Sequence, residues 1–348
     1  MALVVDLDRL RAALAGLPGL AGWRDGALEP LTGGGVAHDH VRIVGTGLLA
    51  RVPRLSQFAL AAADNLAYQA ECFRRLAASG RVPRLAAVLP PGAGLPMGAL
   101  LVAEVVGRPV RLPDDLAAIA ATLAAIHDLP LPPERAPLGD HPDPVGGTWA
   151  VIAAQAQFFA TAPAKPAVQA ALAEEIAWAE AFARSAAGRP QPRTLVATDT
   201  HPGNFVIEAT TGHAVFVDAE KALYGAPAID AAHVTLATSV LWSAPDAEPV
   251  PADAVLAFER AWLARLRPEL AAAVRTWVRP LRRLTWLRSM SWFARWWTLS
   301  RDDPAWSAAT LDPALAAHIQ GRVRLFFTAE MVGRVRSEWL GPGQLPEP

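Results

Sequence analysis

Short apolar runs followed by polar loops concentrate in residues 193–230, and this region limits the possible folds most strongly. Three runs have the length and apolar character of strands, namely 194–197, 205–207 and 214–217. Oxygen-bearing side chains follow them on short loops: Asp199, Asn204, Asp218 and Glu220. Such ligands suit Mg²⁺, and Mg²⁺ held by one or two carboxylates usually also binds phosphate oxygens. The region therefore points toward phosphoryl transfer.

Composition excludes several other classes of protein. A net charge of −1 and a pI near 6.7 give no field that would hold a nucleic acid or an anionic membrane surface. The single cysteine, Cys72, excludes an internal disulfide framework and makes a cysteine-based metal cluster improbable. A 348-residue chain with 52% hydrophobic residues supplies ample core. We expect a globular protein of a reducing compartment.

The N-terminus and the hydropathy pattern predict a cytoplasmic protein. Asp6 and Asp8 interrupt the segment where a signal peptide would need an apolar run. No uninterrupted apolar stretch reaches the roughly 18 residues that a membrane span needs. We therefore expect neither export nor membrane insertion.

The periodicity divides the chain into two lobes. Residues 1–106 predict a small sheet with one main helix, and residues 107–340 predict a mostly helical lobe, joined at a hinge near 107–109. In the first lobe the predicted helices are 4–14 and 56–79, and the strands are 41–44, 48–52, 85–89 and 99–106. In the second lobe the predicted helices are 116–127, 149–161, 166–187, 229–242, 252–266, 268–301 and 313–339. The tail, 341–348, is predicted to be disordered. The fold class is α+β.

Two loops are candidates for function. Gly33, Gly34 and Gly35 lie in a turn before the strand 41–44, where glycine lets backbone N–H groups approach phosphates. The alternative is that these glycines only form a turn. The proline- and glycine-rich segment 130–147 is long for a loop in a compact domain, and loops of this kind are often functional. We note it as a candidate lid.

The central region resembles the catalytic region of aminoglycoside phosphotransferases and choline-kinase-like enzymes. The resemblance rests on LVATDTHPGN at 195–204, VDAE at 217–220 and GAPAID at 225–230, with weaker support from LARVP at 49–53 and LAAIH at 123–127. It implies a two-lobed protein-kinase-like fold. It further implies an enzyme that uses ATP and Mg²⁺ to phosphorylate a hydroxyl of a small metabolite.

The resemblance also implies roles for individual residues. Asp199 would accept the proton of the acceptor hydroxyl, and Asn204 and Asp218 would bind Mg²⁺, as in the kinase template. Arg51 would steady the nucleotide phosphates, with Glu71 on the next helix as its partner. Further nucleotide contacts are expected from the glycine loop and from Glu104 and Val106 before the hinge. The alternative for Arg51 and Glu71 is that both are surface charges.

The sequence departs from the family pattern in front of the predicted base. Members usually carry His-Gly before this aspartate, whereas this chain has Ala197 and Thr198. The change would weaken preorganisation of the loop. It leaves open a nucleotide-binding pseudokinase with a regulatory role as the alternative to an active enzyme.

Other polar residues of the motifs allow two interpretations. Glu220 follows Asp218 by two residues, so it would contact the metal or the substrate, or else pair with Lys221 or a nearby arginine. Asp230 is expected to anchor the loop or cap a helix. His127 and His201 are expected to be structural.

A tryptophan- and arginine-rich segment, 277–306, is the remaining informative feature. Aromatic rings can enclose a quaternary ammonium, but we favour rings that fill the core of a helical lobe. The interleaved arginines are 275, 279, 282, 283, 288 and 295, and a solvated face is their default explanation. If several lined the acceptor cleft, an acceptor with a carboxylate or phosphate would fit better than an aminoglycoside.

Overall fold

The computed structural model describes residues 5–17, 20, 26–31, 37–92, 94–244, 246–302 and 313–348. The predicted glycine loop with Gly33, Gly34 and Gly35 lies outside these ranges, as does Trp306. None of the helices in the described ranges combines the length and the apolar character that a membrane span requires.

The first part of the chain forms a five-stranded antiparallel sheet between two helices. The sheet has the order β1-β2-β3-β5-β4, with β1 Leu28–Pro30, β2 His38–Ile43, β3 Leu48–Pro53, β4 Leu85–Leu89 and β5 Ala99–Ala103. The helices are α1, Leu7–Ala15, and α2, Ala62–Ala77. Successive residues of a strand face opposite sides. Ala99 and Leu101 accordingly pack in the core shared with α1, while Leu100 and Val102 pack in the core shared with α2.

The rest of the chain is mainly helical and carries two small sheets. Its helices are α3 Leu116–His127, α4 Pro144–Gln155, α5 Pro166–Ala186, α6 Pro227–Thr235, α7 Ala237–Ser243, α8 Ala252–Leu263, α9 Pro268–Arg275, α10 Val278–Asp302, α11 Pro313–Phe326 and α12 Ala329–Arg336. Short 3-10 helices are Ala156–Thr161, Pro202–Asn204 and Gly341–Gly343. The strands are β6 Gly107–Pro109, β7 Thr194–Val196, β8 Phe205–Glu208, β9 Ala214–Phe216 and β10 Leu223–Gly225.

The two small sheets bring the central loops together. One has the order β6-β8-β9, and the other pairs β7 with β10, all antiparallel. Gly107 permits the first sheet, because a Cβ at this position would lie 2.1 Å from the Ile207 carbonyl oxygen. Pairing of β6 with β8 attaches the segment after residue 106 to the second half. The division into lobes at 106/107 stays a prediction.

Several predicted helices are interrupted. The predicted helix 229–242 breaks at Leu236, whose extended backbone (ψ 134°) separates α6 from α7. The predicted helix 268–301 breaks between α9 and α10, and 313–339 breaks at Thr328, whose side chain caps α12 by accepting from the Met331 N–H. The helix propensity of the residues is high on both sides of each break, so tertiary packing decides where the chain turns.

The expectation of a disordered tail is wrong. Leu345 is buried, and the Arg279 Nε donates to the Pro346 carbonyl oxygen at 2.8 Å. Arg275 donates to the carbonyl of Pro348. The tail therefore packs against the helical half, because one apolar anchor and two arginines fix an otherwise polar segment.

Candidate active site

The loop after β7 carries Asp199 and is held from behind by Asp230. The Asp230 carboxylate accepts hydrogen bonds from the Ala197 N–H at 2.7 Å and the Thr198 N–H at 2.8 Å. The Thr200 hydroxyl donates to the Asp230 carbonyl oxygen at 2.8 Å. Asp230 is fully buried. The prediction that Asp230 anchors this loop is therefore confirmed.

His127 completes the anchor as a structural residue, as predicted. Its Nε2 lies 3.1 Å from the Asp230 carboxylate, and its Nδ1 accepts a hydrogen bond from the Trp262 indole at 3.1 Å. Because Nδ1 is an acceptor, the proton of the neutral ring is on Nε2 and points to Asp230. All three side chains are buried.

Thr198 has a backbone conformation that suits glycine. Its φ is +70°, in the left-handed region, and it occupies the position at which the resembling families carry glycine. Three hydrogen bonds fix the residue. Its N–H donates to Asp230 at 2.8 Å, its hydroxyl donates to the Lys221 carbonyl oxygen at 3.0 Å, and its own carbonyl accepts from Arg288 at 3.1 Å. These bonds hold the backbone directly in front of Asp199 in place.

We expect Thr198→Gly to be more stable than Thr198→Ala by about 1 kcal/mol. Both variants lose the hydroxyl bond to Lys221, but only alanine retains the unfavourable left-handed conformation. Urea unfolding of the two purified variants measures the difference. Equal stabilities, or a more stable alanine variant, would show that position 198 stores no backbone strain.

Lys221 pairs with the predicted base. Its Nζ lies 2.6 Å from Asp199 Oδ2, and both side chains are about three-quarters buried. Burial alone would raise the pKa of Asp199, but the Lys221 ammonium, its hydrogen bond to the carboxylate and the other groups around it together outweigh burial, so the pKa of Asp199 is lowered. Burial would lower the pKa of Lys221, but Asp199 and then Glu220 raise it. Both groups are charged at neutral pH.

Arg51 reaches the second loop instead of helix α2. Its Nη1 donates to the Val217 carbonyl oxygen at 3.0 Å, and its Nη2 donates to the Asp218 carboxylate. Burial would raise the pKa of Asp218, but Arg51 and then Lys221 lower it to about 2. Arg51 itself is buried, which excludes the alternative that it is a surface charge.

The expected pair between Arg51 and Glu71 is not formed. Glu71 accepts from Arg75 Nε at 2.7 Å on the same helix, at the partly exposed edge of α2. The α2 side chain beside the Arg51 guanidinium is Phe73, whose ring centroid lies 5.4 Å away. Gln69, one turn earlier on the helix, is also buried and bonds to His38. The rotation of α2 therefore directs the Phe73 ring toward Arg51 and places Glu71 at the partly exposed edge of the helix, away from Arg51.

Glu220 bridges the loop to the first sheet. One carboxylate oxygen accepts from the Gln57 amide at 2.8 Å and lies 3.8 Å from Lys221 Nζ. The other lies 3.0 Å from His38 Nδ1 and 3.8 Å from Arg51 Nη2. The predicted alternative, that Glu220 lies beside Lys221 or an arginine, matches these contacts. Glu220 is also buried, with only 4% of its side chain exposed.

The oxygen ligands at this site fit a hard divalent cation. The ligand atoms of His38, Asp218 and Glu220 lie within 4.8 Å of one another. The second oxygen of Glu220 is buried and has no hydrogen-bond donor of good geometry among the described residues. The Asn204 amide nitrogen donates to the Asp199 carbonyl oxygen at 2.8 Å, which leaves the Asn204 amide oxygen as a ligand. The donor set is thus mainly oxygen, as Mg²⁺ requires.

Glu104 and Val106 follow β5 at the connection between the two sheets. The Glu104 side chain accepts from Arg42 Nε at 2.6 Å. Its N–H donates to the Gly47 carbonyl oxygen at 2.8 Å, and the Val106 carbonyl accepts from Ala209 at 2.9 Å. Within the described ranges, the Glu104 carbonyl and the Val106 N–H have no backbone partner. An acceptor and a donor two residues apart match the edge of an adenine ring.

The tryptophans of α10 and its surroundings mostly fill the core, as predicted. Four of them are at most 8% exposed, namely Trp277, Trp286, Trp296 and Trp297. The arginines do not form a solvated face, which corrects the default expectation. Three of them pair with glutamates from other elements: Arg279 with Glu259, Arg282 with Glu338 and Arg283 with Glu175.

Sequence reasoning missed several residues that surround Asp199 and Asp218. The sequence predicts Lys221 only as a partner of Glu220, and it predicts no role for His38, Gln57 or His233. The sequence pattern indicates a role for His38, because His38 and His40 are two residues apart on β2 and therefore face the same side, beside the strand that carries Arg51. Both histidines are inward-facing, and burial followed by the charge of Arg51 lowers the pKa of His40 to about 3.

The fold and the two loops together define a phosphotransferase of the protein-kinase-like type. The chain belongs to the phosphotransferase enzyme family, whose sequence profile matches residues 28–273. The predicted family and the predicted α+β fold are therefore confirmed. A sequence search of the curated proteins gave no significant match.

Solved structures of related proteins share the fold. A choline/ethanolamine kinase family protein from Mesorhizobium loti is 21% identical, with a TM-score of 0.57 over 95% of this chain and 99% of that one. Choline kinase from Cryptosporidium parvum is 12% identical, with a TM-score of 0.61 over 96% of each chain. A thermostable mutant of the aminoglycoside phosphotransferase APH(4)-Ia, in ternary complex with ADP and hygromycin B, is 16% identical, with a TM-score of 0.53 over 88% and 96%.

Proposed function

We propose that the protein is a Mg²⁺- and ATP-dependent kinase that transfers the γ-phosphoryl group to a hydroxyl of a small metabolite. The observation that carries the proposal is the ordered Asp199 loop. Its predicted base is ionised and ion-paired to Lys221 of the second loop, and the same ammonium lies 3.8 Å from Glu220. The fixed geometry of this loop favours an active enzyme over a pseudokinase, although Ala197 and Thr198 replace His-Gly.

Asp199 would orient the acceptor hydroxyl and accept its proton. Phosphoryl transfer proceeds through a loose transition state, so positioning contributes more than base strength. A carboxylate whose pKa is lowered suits this role, because it remains ionised and accepts a hydrogen bond from the hydroxyl. Lys221 would fix its orientation.

The nucleotide would lie between the first sheet and the second loop. Asn204 and Asp218 would hold Mg²⁺, with Glu220 as a further member of the group, and the metal supplies charge neutralisation at the phosphates when bound. Arg51 would contact phosphate oxygens, oriented by Asp218 and Glu220 instead of Glu71. The Glu104 carbonyl and the Val106 N–H would bind the adenine edge.

An ATP-consumption screen tests the proposal. Purified protein with Mg-ATP is assayed against amino alcohols, sugars, hydroxy acids and amino acids, with Asp218→Ala as the blank. We expect acceptor-dependent ADP formation that the blank lacks, because loss of Asp218 removes a metal ligand and the contact of Arg51.

Binding measurements separate the two alternatives. Calorimetric titration with Mg-ATP should show binding that disappears without Mg²⁺. Binding without consumption across the panel would favour the pseudokinase. A folded protein that binds no nucleotide would contradict both functions.

A further inference from the structure

Arg288 of helix α10 differs from the neighbouring arginines in its partners. Arg279, Arg282 and Arg283 each pair with a glutamate, whereas Arg288 forms no ion pair with a carboxylate among the described residues. Its one hydrogen bond runs from Nη2 to the Thr198 carbonyl oxygen at 3.1 Å. A guanidinium has five N–H donors in a planar fork, so most of its donors have no described protein acceptor. The side chain is only partly buried.

The position of Arg288 places a cation beside the predicted phosphoryl-transfer site. Its bonded partner, Thr198, immediately precedes Asp199. The negative charges nearest to it are already engaged, because Asp199 pairs with Lys221 and Asp230 accepts from the loop N–H groups. Burial lowers the pKa of Arg288, and the charges of Asp199 and Asp230, neither of which forms an ion pair with Arg288, oppose that effect. The guanidinium remains charged at neutral pH.

Neutral histidine rings lie around Asp199 and Arg288. Burial lowers the pKa of His233 to about 3 and also lowers the pKa of His201. The His233 Nδ1 is a buried atom without a hydrogen-bond partner among the described residues. His141 also lies within the field of Arg288, and burial lowers its pKa. These rings add polar atoms to this side of Asp199 without adding charge.

We infer that Arg288 binds an anionic group, a carboxylate or a phosphate, on the hydroxyl-bearing acceptor. The inference rests on the proposed function. A guanidinium with unused donors matches either group with two parallel hydrogen bonds. The same charge disfavours a cationic acceptor such as an amino alcohol, because no described carboxylate pairs with Arg288 to neutralise it.

Matched acceptors test this inference by binding and by turnover. The probes are glycerate, glycerol 3-phosphate and the neutral glycerol, together with serine, serinamide and ethanolamine. Each is titrated calorimetrically into the protein loaded with Mg²⁺ and a non-hydrolysable ATP analogue, and each is assayed for ATP consumption. We expect glycerate or glycerol 3-phosphate to bind at least about 10-fold more tightly than glycerol. The comparison between these two separates a carboxylate ligand from a phosphate ligand.

Variants of Arg288 assign the preference to this side chain. Arg288→Gln should weaken binding of the preferred anionic probe about 10- to 150-fold, which is the range for a charge-assisted hydrogen bond. It should weaken binding of the neutral glycerol much less than binding of the anionic probe, and it should leave the affinity for Mg-ATP unchanged. Arg288→Lys, which retains the charge but not the fork, should recover part of the loss. Arg301→Gln, on the exposed end of the same helix, is the control and should match the wild type.

Two outcomes would overturn the inference. One is that no anionic probe binds the nucleotide-loaded protein more tightly than its neutral counterpart. The other is that Arg288→Gln weakens neutral and anionic probes equally, which would make Arg288 only a support for the Thr198 carbonyl. In both cases intact Mg-ATP binding would leave the proposed kinase function standing. Loss of Mg-ATP binding by the wild type would instead remove the function on which the inference rests.

Discussion

Asp199→Asn should reduce kcat about 10²- to 10⁴-fold while Mg-ATP binding is retained. The amide has the size of the carboxylate but cannot accept the hydroxyl proton, and general-base contributions span this range. The proposed metal ligands Asn204 and Asp218 are untouched, so the nucleotide affinity should stay within a few-fold of the wild type. Steady-state kinetics with an acceptor from the screen, together with calorimetric titration of Mg-ATP, measure the two quantities separately.

A control and a pH profile strengthen the assignment of Asp199. Asp253→Asn, on the exposed start of α8, removes the same charge from a side chain that is exposed to solvent and should not change kcat. Because the pKa of Asp199 is lowered, the carboxylate stays ionised through the range near about pH 4 in which an ordinary aspartate becomes protonated, and kcat should show no acid limb from Asp199 there. Retention of kcat in Asp199→Asn would contradict its role as the base.

The central loops are predictable from sequence because their geometry is local. Asp199, Asn204 and Asp218 each follow a short apolar run, and strand pairing then brings the loops together. The anchoring role of Asp230 was also accessible, because a buried carboxylate at the start of a helix needs N–H donors. The roles of these residues and the two-lobed kinase-like fold had to be supplied by the family resemblance.

Contacts that depend on the rotation or register of a whole element were not predictable. The pair of Arg51 with Glu71 required α2 to present Glu71 inward, but the helix presents Phe73, two positions further along, instead. The ion pair of Arg283 with Glu175 joins residues 108 positions apart. In one sequence, nothing distinguishes such a pair from two solvated charges. The same limit applied to Arg288, whose difference from its neighbours appears only when all their partners are known.

Asp230→Ala should be the most destabilising single substitution near the site. Asp230 is fully buried, and its loss leaves the Ala197 and Thr198 N–H groups and the His127 Nε2 without an acceptor. Removal of one member of a buried polar network costs about 3–5 kcal/mol. Thermal and urea unfolding of the variant measure this loss. Asp253→Ala on the exposed start of α8 is the control and should stay within about 0.5 kcal/mol of the wild type.

The same substitution should also lower kcat, and His127→Phe separates this effect from the loss of stability. Asp230→Ala frees the backbone in front of Asp199, and misplacement of a reacting group by about 1 Å can cost about 10²-fold in rate. His127→Phe removes the bond to Asp230 from the opposite side but leaves both loop N–H bonds intact. It should therefore destabilise the protein with little change in kcat, measured well below the unfolding temperature of each variant. If both variants lost activity in proportion to stability, Asp230 would support the fold without positioning Asp199.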